Sequence, residues 1–162
     1  MTELDQLNAA PEDELRDRLR RCCPAPEWIS AVTEGRPYPD LEAVLRTSDG
    51  ATERLDDAGL AQALAGHPRI GERTREAFSA QEQAGMAGAD AALRARLAEA
   101  NRRYEEEFGR IYLVSASGRT ADELLELCLQ RLGSTAADEQ RVVRRELAAI
   151  NRRRLRTLLG VV

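Results

Sequence analysis

Apolar side chains recur along this chain three and four residues apart, with polar ones between them. That period belongs to amphipathic helices, which turn one stripe to a core and the rest to water. Leu15, Leu19 and Cys22 form one stripe, opened by Pro11 and an acidic turn and stopped by Pro24. Trp28, Ile29 and Val32 form a second, closed by Gly35, and Asp40 can cap a third that carries Leu41, Val44 and Leu45. Leu60, Ala61 and Leu64 mark a fourth, ended by Gly66 with Pro68 two residues on. Asp90 precedes Leu93, Leu97, Ala100, Tyr104 and Phe108, a long stripe closed by Gly109. Thr120 and Glu123 form a capping box ahead of Leu124, Leu127, Cys128 and Leu132. From about Thr135 a last long helix carries Val142, Val143, Leu147, Ile150, Leu155 and Leu158.

One run breaks the period. Ile111, Tyr112, Leu113, Val114 and Ser115 read locally as a buried strand, but a single strand has no partner. The expectation is an all-α fold: a single-domain, multi-helix bundle over residues 1–162 with one short buried extended segment near 111–116. Length agrees, since 162 residues fit one domain with a real core. Few aromatics and abundant Ala, Leu, Arg and Glu also favour helix over sheet.

Charge and composition exclude several functions. A net charge of −4 argues against broad affinity for nucleic acid or anionic membranes. The arginine-rich last helix has interspersed acids and reads as a solvated face. No apolar run approaches the roughly 20 residues that span a bilayer. The acidic start lacks an apolar signal stretch, and a cytoplasmic location is expected. Cys22, Cys23 and Cys128 are odd in number and two are adjacent, so neither a disulfide framework nor a paired zinc knuckle is suggested. With one histidine and no His-Glu-x-x-His or Cys-x-x-Cys pattern, zinc has no credible ligand set. All 24 basic residues are arginine, so a Schiff base has no amine to form on. No phosphate loop or dinucleotide fingerprint is present, and no cofactor is expected.

The candidate chemistry gathers around His67, the lone histidine. An imidazole titrates nearest neutrality, although a histidine at a helix end can serve only as a favourable C-terminal charge. Gly66 and Pro68 restrict the backbone on either side, and Arg69 offers an anion-binding fork. Ser79, Glu82 and Gln83 stand at i, i+3 and i+4 and share a helical face. Ser79-Ala80-Gln81-Glu82 can equally be a capping box, which would take Glu82 for the start of a helix. In the functional alternative Glu82 pairs with His67 and favours its protonated form, while Ser79 and Gln83 bind a polar ligand.

These motifs resemble the 2-oxo-4-hydroxy-4-carboxy-5-ureidoimidazoline (OHCU) decarboxylase family. The resemblance rests on His67-Pro68-x-Ile70-Gly71, on Ser79-x-x-Glu82-Gln83-Ala84-Gly85-Met86 and on Asn101-x-x-Tyr104-x-x-x-Phe108-Gly109. Leu7-Asn8, Cys22-Cys23, Trp28, Arg36-Pro37-Tyr38, Ala116 to Thr120 and Glu146-Leu147 to Arg154-Leu155 extend it along the chain. Glu107 departs from the lysine common before Phe-Gly, and Arg110-Ile111-Tyr112 departs from the common Phe-Pro-Phe.

The resemblance implies a cofactor-free, all-helical homodimer that converts OHCU to (S)-allantoin and carbon dioxide in urate catabolism. His67 would be the catalytic acid/base and Glu82 its partner. Pro68, Ser79 and Gln83 would line the substrate site, together with the backbone of Ile111, Tyr112, Leu113, Val114 and Ser115. Arg119 is included as an anion-binding candidate, with Arg69 and Arg110 left open beside it. The alternatives are a non-catalytic helical interaction domain and a related decarboxylase of another carboxylated heterocycle.

Overall fold

Side-chain caps set most helix starts. In the computed structural model, which describes residues 1–72 and 77–161, the side chains of Asp40, Asp56, Asp90 and Thr120 each accept the N–H three residues on. Thr2 and Asp5 form a reciprocal box. Regular structure among the described residues is helical throughout: α1 Glu3–Ala9, α2 Glu12–Cys22, α3 Pro26–Glu34, α4 Leu41–Glu53 and α5 Asp57–Ala65, then α6 Ala77–Glu82, a 3₁₀ turn Ala84–Gly88, α7 Ala91–Phe108, α8 Ala121–Arg131 and α9 Ala136–Leu158. The all-α expectation therefore holds. No helix among the described residues is long and apolar enough to cross a membrane.

The chain divides into two compact units. One comprises residues 1–66 and 147–162, and the other residues 67–146, so the two ends of α9 belong to different units.

The first unit packs α3 against α2 and α4. Its core includes Leu7, Leu15, Leu19, Trp28, Val44, Leu45, Leu147 and Leu155, all fully buried. Burying each such leucine contributes about 1.5–3 kcal/mol. Its buried polar groups are matched locally: Trp28 Nε1 donates to Ser48 Oγ (3.0 Å) and Asn151 Nδ2 to Thr52 Oγ1 (3.2 Å). Several residues that carry the resemblance make structural contacts here. Asn8 clamps the Tyr38 backbone, donating to its carbonyl (2.9 Å) and accepting its N–H (2.8 Å). Arg36 donates to the carbonyl of Ala10 (2.7 Å), just past the end of α1. Buried Arg154 likewise donates to the carbonyl of Cys22 at the end of α2 (3.0 Å).

The second unit packs α7 against α8 around Ile70, Met86, Leu97, Tyr104, Tyr112 and Val114. α7 ends at Gly109, whose φ of +70° is easy for glycine. The chain then runs without helix or strand from Ile111 to Ala116, with Tyr112, Leu113 and Val114 buried. A buried extended segment was expected at 111–116; the segment is there, without regular structure.

Candidate active site

His67 and Pro68 follow the end of α5 and are both half-buried, with His67 Nε2 shielded from solvent. The loop they open is anchored in three places. Gly71 N–H donates to Gln83 Oε1 (2.8 Å), and Gln83 Nε2 reaches the Arg69 carbonyl (3.4 Å). Asn101 of α7 donates to the carbonyl of Ile70 (3.0 Å). Arg69 forms ion pairs with Glu105 of α7 (2.5 Å) and with Glu72 (3.2 Å). Gly71, with φ +91°, supplies the turn between these anchors.

α6 removes the capping reading of Ser79-Ala80-Gln81-Glu82. The helix already includes Ala77, so Ser79 is inside it and is not its cap. The Gln83 N–H donates to the Ser79 carbonyl (3.0 Å), continuing the helical pattern to Gln83. Ser79, Glu82 and Gln83 therefore share a face. Since Gln83 bonds to the backbone of the His67 loop, that face is the one turned to the loop. Ser79 is only 2% exposed and Glu82 is half-buried, and both already have partners. Residues 73–76, which join the loop to α6, lie outside the described residues.

Two of the expected residues have partners in the structure. Gln83, expected to bind substrate, bonds the loop backbone through its amide oxygen and its amide nitrogen and so also braces the loop. Arg69 was offered as an anion fork, yet hydrogen bonds from its guanidinium to Glu105 and Glu72 hold it and raise its pKa above the ordinary value. A substrate carboxylate would have to displace two carboxylates already in place. Arg119 is half-buried and lines a depression of about 290 Å³ with Glu123, Glu126 and Gln130. Its carbonyl packs so closely on Gly85 that any Cβ there would collide, which accounts for the glycine after Gln83-Ala84. Arg110 is half-buried near Tyr104, and its Nε–H is shielded from solvent without an acceptor among the described residues.

The segment 111–115 is tied to a buried polar cluster. Arg131 donates from Nη1 to the Leu113 carbonyl (2.6 Å) and from Nε to Glu139 Oε1 (2.8 Å). Tyr104 donates its hydroxyl to the same Glu139 oxygen. The guanidinium lies 5.0 Å from the Tyr112 ring centre and 5.5 Å from that of Tyr104. The Ser115 N–H donates to Glu146 Oε2 (3.0 Å). Burial raises the phenol pKa values of Tyr104 and Tyr112 and pushes the Cys128 thiol up to about 11.

Sequence reasoning assigned no role to Asn101, Arg131, Glu139 or Glu146. A signal existed for Glu139: it continues the stripe of Val143, Leu147 and Ile150 at helical spacing, where an unpaired charge would be costly.

Two cavities adjoin the His67 loop. One of about 550 Å³ is lined by Ile70, Met86, Leu97 and Asn101 and by the Arg69–Glu105 pair. Another of about 650 Å³ is lined by Gly71, Gln83, Ala84, Met86 and Arg94. No group of three His, Cys, Asp or Glu side chains among the described residues could hold a metal ion.

Known proteins match this chain along most of its length. The chain is 26% identical to a 2-oxo-4-hydroxy-4-carboxy-5-ureidoimidazoline decarboxylase of Amia calva, covering 97% of this chain and 94% of that protein. It is also 26% identical to the uric acid degradation bifunctional protein TTL of Arabidopsis thaliana, covering 88% of this chain and only 45% of that longer protein. Among solved structures, an OHCU decarboxylase crystallised in the presence of (S)-allantoin superposes with a TM-score of 0.80 at 25% identity, covering 89% of this chain and 98% of that one. The fold is shared with (S)-allantoin synthase, at a TM-score of 0.76 and 14% identity over 98% of this chain and 54% of that one. The family model for OHCU decarboxylase matches residues 8–156, and the chain belongs to that family.

Proposed function

We propose that this chain decarboxylates OHCU to (S)-allantoin and carbon dioxide in urate degradation, with His67 as proton donor and Glu82 as its carboxylate partner. The observation that supports this reading is the brace from Gln83, next to the short helix that carries Ser79 and Glu82, to the loop that begins at His67. The match to the family over residues 8–156 supplies the substrate. Because that match runs through both units, we read residues 1–162 as one functional domain.

The chemistry requires few groups. Cleavage of the bond to the carboxylate releases carbon dioxide, and the electron pair left behind moves into the adjacent imine, giving an enol. A protonated His67 then delivers its proton to the neighbouring ureido-bearing carbon from one face, which sets the handedness of the product, while the hydroxyl on the decarboxylated carbon loses its proton and becomes a carbonyl. Glu82 favours the imidazolium that this step consumes. Ser79 and backbone groups of the segment Ile111 to Ser115 that Arg131 and Glu146 leave unoccupied orient the ring, and Pro68 shapes the pocket. Arg110, with an uncommitted Nε–H, is the arginine best suited to the departing carboxylate. No step calls for a cofactor. Location in the cytoplasm and assembly as a homodimer complete the reading.

The test supplies freshly generated OHCU and follows (S)-allantoin by circular dichroism. Wild-type protein is expected to form the S enantiomer faster than the racemate forms spontaneously. His67→Asn is expected to lose that acceleration by about 10²–10⁴-fold with its helices intact. A folded His67→Asn protein with near-wild-type rates overturns the assignment.

A further inference from the structure

The segment 111–115 has two edges, and its contacts identify the one that is occupied. In an extended chain the N–H and C=O of one residue point to the same edge, and those of the next residue to the opposite one. The Leu113 carbonyl and the Ser115 N–H, two residues apart, are both taken by charged side chains: Arg131 from α8 at 2.6 Å and Glu146 from α9 at 3.0 Å. With the extended conformation that the sequence predicts for 111–116, Tyr112 and Val114 present their backbone groups on the other edge. Val114 is 4% exposed, and among the described residues neither its N–H nor its C=O has a partner. A buried backbone polar pair is almost always bonded, so this edge calls for a ligand. Val114 also shares its core with Ile70 of the His67 loop and with Met86 of the turn after Gln83.

We infer that Glu146 is a positioning residue for the reaction, holding the Ser115 amide so that the Val114 backbone faces the substrate ring. The inference rests on the decarboxylase reading, and it goes beyond that reading by assigning the working edge and the side chain that maintains it. Arg131 holds the same edge through Leu113, but it also neutralises the buried Glu139, so its loss would unsettle the core. Glu146 is half-buried and lies outside that ion pair, which makes it the better probe. Its task needs an acceptor oxygen and no charge, so a glutamine can do it.

The experiment measures kcat and KM on fresh OHCU for wild type, Glu146→Gln and Glu146→Ala, alongside thermal melting. Backbone contacts to the ring act in both the bound substrate and the transition state, so their loss raises KM and spares kcat. Glu146→Ala is expected to raise KM about tenfold, with kcat within about threefold of wild type. Glu146→Gln is expected to restore most of the loss. Active wild type with an unimpaired Glu146→Ala, or with Glu146→Gln as impaired as Glu146→Ala, overturns the inference alone. Wild type inactive on OHCU overturns the decarboxylase reading and this inference with it. If Glu146→Ala fails to fold, amide resonances of wild type titrated with (S)-allantoin decide the matter: Val114 must shift more than Ser115, and the reverse order overturns the inference.

Discussion

The two units solve the same problem, burying polar groups among helices, in different ways. In the first, neutral side chains meet one another or a nearby backbone: Trp28 with Ser48, Asn151 with Thr52, Asn8 with Tyr38. Its buried arginine, Arg154, serves the last carbonyl of a helix. In the second, a buried carboxylate and guanidinium, Glu139 and Arg131, tie down a stretch of backbone that makes no helical hydrogen bonds. The difference follows from what each unit must hold. Helices satisfy their own backbone, so the first unit needs only caps and clamps. An irregular buried segment has polar groups to satisfy along its whole length, and only long charged side chains reach it from neighbouring helices.

The sharpest way to break this comparison is to remove one charge. Arg131→Met leaves Glu139 buried without its cation and is expected to cost about 3–5 kcal/mol in urea unfolding. Asn151→Ala in the first unit is expected to cost about 1–3 kcal/mol, the range for a buried neutral partner left unmatched. Pairing Arg131→Met with Glu139→Leu should recover much of the stability, because the pair is removed together. Equal costs for Arg131→Met and Asn151→Ala would erase the distinction between the units.

A second pair of changes asks whether the second unit is shaped for its site. Gly85→Ala forces a Cβ onto the Arg119 carbonyl and is expected to cost about 1–3 kcal/mol. Gln83→Ala removes a brace that bonds the loop backbone at both ends. It is expected to lower kcat/KM about tenfold, the equivalent of one hydrogen bond, with little change in melting temperature. A loss as large as that of His67→Asn would instead mean that Gln83 touches the reacting atoms.

The same contrast explains what could be read from the sequence. Helix stripes and caps are local, so Asp40, Asp90 and Thr120 marked true starts and Gly35, Gly66 and Gly109 true stops. α1 escaped because seven residues hold only a brief stripe, although Thr2 and Asp5 form a complete capping box there. Ser79 misled as a possible cap because a capping box and a functional i, i+3 face use the same residues. His67, Glu82 and Ser79 could be proposed from the sequence because their motifs are short and local. The braces were not: Arg131 meets a carbonyl 18 residues away and Glu146 an amide 31 residues away. No local pattern reports a partner at that distance. Arg69 showed the converse: its suitability for an anion was plain, but its pairing with Glu105, 36 residues on, was not.

The smallest expected effect is a difference in alkaline response. Burial raises the phenol pKa values of Tyr38 in the first unit and of Tyr104 and Tyr112 in the second, and these are the chain's three tyrosines. Each raised group keeps its proton in the folded protein at a pH where the unfolded chain releases it. Stability from these phenols is therefore complete below their ordinary value of 10.0 and falls as pH rises above it. Cys128, moved from 9.0 to about 11, opens the decline slightly earlier. At pH 10, where a free phenol is half ionised, the native protein should show little phenolate absorbance, and the absorbance should emerge together with loss of helical circular dichroism. The steeper share belongs to the second unit, where Tyr104 and Tyr112 are shifted further than Tyr38. Tyr112→Phe should accordingly flatten the decline more than Tyr38→Phe. A tyrosine that titrates reversibly near its ordinary value with the helices intact would show that the cluster around Arg131 admits water, and the second unit would then be no better sealed than a surface loop.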